Sequence, residues 1–225
     1  MKKNLLLAIV ICSMALCSIN AQSNLFMDQS YTVEEMVMDF FNHPDITVSN
    51  VSYTGDDTAY AFFDAGGTML DVDAGLFFCT GSPEIAVGPN TLESGTGINS
   101  GGSDPDLEQT SGMIGNDAFI IEFDFTISDT DSLYFKYAFG SEEYCEFVNS
   151  GFNDVFGFFV SGPGINGPYS NNSINIAVVG NSQDLVNINS INHLQNTNLF
   201  HGNSDTCDPI LIDYDNLYTN KTISK

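Results

Sequence analysis

Apolar residues recur at two different periods along this chain. Near the start, Val33, Met36, Val37, Phe40 and Phe41 fall at helical spacing, which gives one apolar stripe. Thr32 stands before that run and Glu35 three residues after it, the spacing of a capping box. Pro44 lies just past the end and cannot continue a helix. The pattern predicts one short amphipathic helix that plugs an end or edge of a β-sandwich.

Downstream the period becomes two. Residues 46–53, 59–63 and 75–80 read as strands, separated by Gly55-Asp56-Asp57, Gly66-Gly67 and Gly81. Residues 88–115 are rich in Gly, Ser, Asp, Asn and Pro and read as one long loop. Phe119, Ile121, Phe123 and Phe125 then alternate with Glu122 and Asp124. Leu133, Phe135, Tyr137 and Phe139 alternate around Lys136. Asp129-Thr130-Asp131 between them predicts a hairpin. Residues 155–161 are apolar on both faces, as in a central strand, and 174–179, 186–191 and 210–214 read as further strands. Many short strands divided by turn signals predict a mainly β fold, an antiparallel β-sandwich or jelly roll with one N-terminal helix.

The first residues change the picture by placing the chain outside the cell. Lys2 and Lys3 precede an apolar core at 5–16, and Ile19-Asn20-Ala21 precedes Gln22. That is a secretory leader ending near Ala21, with residues 22–225 as one mature domain. Neither Cys12 nor Cys17 has the small preceding residue that lipid attachment needs. No later stretch is long enough to span a bilayer, so the mature chain has no expected membrane span.

Charge narrows the partners. The chain carries 29 acids against five basic residues, a formal charge of −24, and two of the five lie in the leader. Lys136, Lys221 and Lys225 are all that remain. Nucleic acid requires a basic footprint and is excluded. The 18 Phe and 9 Tyr exclude disorder as the source of the acidity. Exported acids of this density point to calcium, which takes carboxylate and amide oxygens. The candidate ligands are Asp71 and Asp73, Asp104 and Asp106, Glu142 and Glu143, and Asn153 and Asp154. If residues between Glu143 and Asn153 form a tight loop, those two ends meet. The bland alternative is that these acids form turns and protect edges. Cys79, Cys145 and Cys207 survive leader removal, enough for one disulfide and a spare thiol, with the pairing open.

No catalytic constellation emerges. Glu142 and Glu143 are adjacent, so in a strand they would point to opposite faces. Glu122 and Asp124 share a face but alternate with buried Phe. His43, His193 and His201 stand in no nucleophile motif. The glycines at 95–102 lack the lysine of a phosphate loop. Tyr169-Ser170-Asn171-Asn172 suits a carbohydrate contact and an ordinary polar loop alike.

The succession Phe139-Gly140-Ser141-Glu142-Glu143-Tyr144, Asn153-Asp154-Val155-Phe156-Gly157-Phe158-Phe159 and Ser161-Gly162-Pro163-Gly164 resembles the choice-of-anchor L domain. Gly88-Pro89-Asn90, Ser103-Asp104-Pro105-Asp106-Leu107 and Asn116-Asp117-Ala118 extend the resemblance, which covers roughly 31–215. It implies an exported bacterial surface protein, often sorted by type IX secretion, with no enzymatic activity assigned. That family pattern continues past Asp213-Tyr214-Asp215-Asn216 into further strands, whereas this sequence stops at Lys225, so the expected domain is incomplete at its C-terminal end. The combined expectation is a non-enzymatic extracellular module binding a glycan or protein, with calcium as the one possible cofactor. The alternative is an extracellular hydrolase or its carbohydrate-binding accessory domain.

Overall fold

The computed structural model describes residues 25–66, 68, 70, 72–87, 102–128, 132–141, 143–179, 184–201 and 215–224. The leader, Asp71, Glu142, Cys207, the 129–131 turn and the 210–214 strand lie outside them. The fold is mainly β, and every ladder among the described residues is antiparallel.

The N-terminal helix α1 (Val33–Phe40) forms where its cap allows. Glu35 N–H donates to Thr32 Oγ1 at 3.2 Å, and Thr32 N–H donates back to Glu35 Oε2 at 2.9 Å. Two of the amides orphaned at a helix start are thereby satisfied. Val33, Met36 and Val37 are buried, while Phe40 is half exposed because the helix ends there.

Strand β1 (Phe26–Asp28) pairs with β3 (Tyr60–Asp64), which pairs with β4 (Ala74–Phe78). Strand β2 (Ile46–Thr54) pairs with β5 (Ile120–Ile127), with a bulge between Ser49 and Ser52. Asn50 fills the bulge with φ 54° and donates its amide to Asp124 at 2.7 Å. Asn tolerates that left-handed backbone better than most residues do. Between the two sheets lies a cluster of Val33, Met36, Val37 and Tyr60 with Val48, Phe62, Leu76, Phe119, Ile121 and Phe123 around it.

Strand β6 (Ser132–Ser141) pairs along its whole length with β10 (Asp215–Ser224), and β9 (Phe200–His201) pairs with β10. Strands β7 (Phe159–Val160) and β8 (Ile174–Asn175) form a short ladder beside them in sequence. A second cluster joins Ala177, Val179, Val186 and Ile191 to Tyr137, Phe139, Phe156, Phe158 and Phe200. Phe41 links the clusters, with ring centroids 5.0 Å from Phe123 and 5.9 Å from Phe135.

Five expectations change, the first being that the 174–179 strand shortens to β8, with one isolated bridge at Val178. The alternation of β5 and β6 gives their buried faces correctly, but not a hairpin: β5 pairs with β2 and β6 with β10. Alternation reports which face is buried, and partner choice is set by distant chain. Residues 88–115 are not one loop, because α2 (Pro105–Ser111) forms within them. Only Phe159–Val160 of the 155–161 run is a regular strand, although Val155 makes one bridge to Asn187. The Phe158 amide goes instead to the Asn175 side chain, at 3.0 Å. Residues 186–191 are buried turns, because Asn187 Oδ1 captures the amides of Asn189 and Ser190. Such side-chain acceptors compete with a ladder for backbone donors.

Candidate functional site

The last residue of β6 begins the site. Ser141 is buried, and its hydroxyl donates to Asp154 Oδ2 at 2.6 Å while accepting the Glu143 amide at 3.0 Å. Asp154 is fixed from the other side, since its carbonyl accepts Ile188 N–H at 3.1 Å. Its neighbour Asn153 donates Nδ2 to the Ser111 carbonyl at 3.4 Å, tying the site to the end of α2. The intervening loop folds into tight turns, with Phe147 N–H on the Glu143 carbonyl and Ser150 N–H on that of Phe147. Asn149 (φ 59°) closes it against the Asn189 side chain. Tyr144 is buried against Phe200, with ring centroids 4.9 Å apart.

Two acids therefore sit close together. Burial, then the charge of Asp154 and then that of Glu146 push the Glu143 carboxyl up to about 7. Burial also raises Asp154, against the opposing pull of the Ser141 hydroxyl. Asp154 keeps solvent-exposed surface while protein crowds its carboxylate. Glu143 Oε2 and Asn153 Oδ1 are shut off from solvent, and among the described residues neither receives a hydrogen bond. Buried acceptors without donors are costly, about 1–3 kcal/mol each. What the site offers is oxygen acceptors of the hard type that calcium takes.

The other predicted ligands are placed differently. Asp104 caps α2, accepting the Asp106 and Leu107 amides at 2.9 Å. Asp106 accepts the backbone and side chain of Ser170 at 3.0 and 3.1 Å. Protein donors thus engage both carboxylates. Asp73 contributes its carbonyl to Ala65 N–H. Among the described residues no three His, Cys, Asp or Glu side chains meet as a metal site. Glu143 and Asp154 come together with Asn153, and Asp104, Asp106 and Asp73 do not join them as a cluster.

Sequence reading missed Ser141, which orients Asp154. Its signal was its place at the strand end beside two glutamates. The residues around His193 are rich in Asn and serve the fold: Asn192 is fully buried, accepts two amides and donates to the Ile188 carbonyl. Cys145 is disulfide-bonded. Cys79 is a free thiol that burial pushes up to about 11, donating to the Gly81 carbonyl at 2.9 Å.

The order of these parts can be set beside known families. The family model for the Choice-of-anchor L domain matches residues 23–224, nearly the whole chain. The chain belongs to the Choice-of-anchor L family. The acid pair and its loop lie inside that Choice-of-anchor L domain, as do the ten strands among the described residues. Membership marks an exported, surface-associated module. No curated protein and no solved structure shows significant similarity to it. Among the described residues no helix is long and apolar enough to cross a membrane.

Proposed function

We propose that this Choice-of-anchor L domain is an extracellular binding module that mediates adhesion or surface interaction and is stiffened by calcium. In this reading residues 1–21 are a cleaved leader and the remainder folds as a β-sandwich. The sandwich reading draws support from β5 and β6, consecutive strands that pair in different sheets yet both send rings to Phe41. Calcium would be held by Glu143 Oε2, Asn153 Oδ1 and the carboxylate of Asp154. The observation that carries this is the pair of buried, donorless oxygens beside a second acid. A protein with so few cations has little else to offer them. The proton on Glu143 and a divalent cation are then alternative answers to one electrostatic problem.

A hydrolase reading has one point in its favour. A carboxyl held near 7 beside a second acid is the pattern of an acid–base pair. The donorless acceptors favour the cation instead, because Glu143 Oε2 and Asn153 Oδ1 are oxygens that a metal satisfies and an acid–base pair does not require.

Titration calorimetry with calcium chloride tests the metal. One site per chain is expected, lost in Asp154→Asn. No heat at millimolar calcium removes calcium from the account. Attachment of cells with and without the chain tests adhesion, and equal attachment contradicts it.

A further inference from the structure

Three loops that share hydrogen bonds each present a large apolar side chain to solvent. Ile114 follows α2, Phe152 stands in the loop between Glu143 and Asp154, and Leu194 lies in the turn after Asn192. Ile114 is 84 %, Leu194 69 % and Phe152 58 % exposed. The middle loop is tied to both of the others. Asn153 Nδ2 donates to the Ser111 carbonyl at 3.4 Å, and Asn149 N–H donates to Asn189 Oδ1 at 2.5 Å. Each tip is also held from within its own loop. Ser111 Oγ accepts the Met113 amide at 3.1 Å, Ser150 Oγ the Phe152 amide at 3.1 Å, and Asn192 Oδ1 the Leu194 amide at 2.8 Å. The Phe147 ring meets Phe152 edge-on, with centroids 5.2 Å apart. Single exposed apolar residues are ordinary, but three on loops bonded to one another make a surface.

The charge around these tips has one sign. Glu146 and Asp154 are exposed on the middle loop. Glu108 lines a shallow groove together with Pro105, Gln109, Gly112, Met113 and Ile114. None of the three loops contains a lysine or arginine, and His193 beside Leu194 is their one imidazole.

We infer that these three loops dock an extracellular protein segment in which lysine or arginine side chains flank apolar ones. The inference rests on the domain being an extracellular binding module and names its partner class. Ile114, Phe152 and Leu194 supply the drive, since contact removes them from water. The acids beside them select among apolar partners, because they attract a cation and repel another acid. The groove on α2 suits such a side chain: its apolar stem lies along Met113 and Ile114 while its charged head meets Glu108. Tips already held in place lose little freedom on binding. A bilayer with anionic headgroups is repelled by the same acids, which favours a protein occupant.

The test uses the secreted chain at fixed calcium and physiological salt. The probe is an amphipathic lysine–leucine peptide, with glutamate–leucine and lysine–serine peptides of equal length as controls. The lysine–leucine peptide should bind best. Ile114→Ser, Phe152→Ser and Leu194→Ser combined should weaken it about tenfold. Glu108→Gln keeps an acceptor for the Gly115 amide and loses the charge, and it should weaken the peptide about threefold. Glu122→Gln removes the same charge from the wet face of β5 and should leave binding unchanged. Equal binding of the three peptides overturns the docking surface. So does an equal effect of Glu122→Gln and Glu108→Gln, because the attraction would then belong to the net charge alone. Pelleting with phosphatidylcholine vesicles, or a dimer in sedimentation, that the triple variant abolishes also overturns it, since the occupant would be a membrane or a second copy. Calcium binding at Glu143 and Asp154 is titrated separately, so failure of the docking surface leaves that site standing.

Discussion

At Glu143, burial and a neighbouring carboxylate act in the same direction, which makes stability depend on pH. The folded carboxyl titrates at about 7, above its ordinary 4.5. A raised acid favours the fold when protonated. Its contribution is fully present below about 4.5 and is lost as pH rises through about 7. Without divalent cation, stability should therefore fall between pH 5 and pH 8. Glu143 is partly exposed, so the loss is roughly 1–2 kcal/mol after solvent screening. Glu143→Gln keeps the size and removes the charge. In chelator it should melt a few degrees above wild type at pH 8 and show little of that slope. A Glu143→Gln melt with the same pH slope as wild type contradicts the assignment.

Among elements, α2 shows how an acid can look like a ligand and serve a backbone. Asp104, Pro105 at the first helical turn and left-handed Gly112 (φ 72°) together define a helix. All three were legible, but the surrounding Gly, Ser and Asn hid them. Asp104→Ala should cost about 1 kcal/mol by loss of the cap. The loss should be the same in calcium and in chelator, as melting in both buffers would show. A loss confined to calcium would make Asp104 a ligand. Strands β2 and β5 were legible because their half-buried and wet positions alternate, as at Ile121, Phe123 and Phe125, whereas the three-residue β1 is too short to show a period. Residues 155–161 and 186–191 were not, because side chains of Asn175 and Asn187 take amides that a ladder would use. Their burial was still readable in Val186, Ile188 and Ile191. The meeting of Glu143 with Asp154 was readable as a tight loop between acids. The role of Ser141 required the fold.

On the scale of the whole molecule, charge and packing pull apart. Two apolar clusters, linked by the ring contacts of Phe41 with Phe123 and Phe135 and of Phe135 with Phe158, hold the sheets together. A formal charge of −24 works against any compact state. A cation bound only by the folded form offsets the repulsion between Glu143 and Asp154, and it must raise the melting temperature. The most direct test is thermal melting of wild type and Asp154→Asn at neutral pH, in saturating calcium and in chelator. At calcium about a hundredfold above Kd the stabilisation is about 2.7 kcal/mol. For a domain of this size that is a rise of about 5–10 °C. Asp154→Asn should show no rise, and in chelator it should melt at or above wild type because the repulsion is gone. A wild-type midpoint unmoved by calcium, or an equal rise in Asp154→Asn, would contradict a cation at this site.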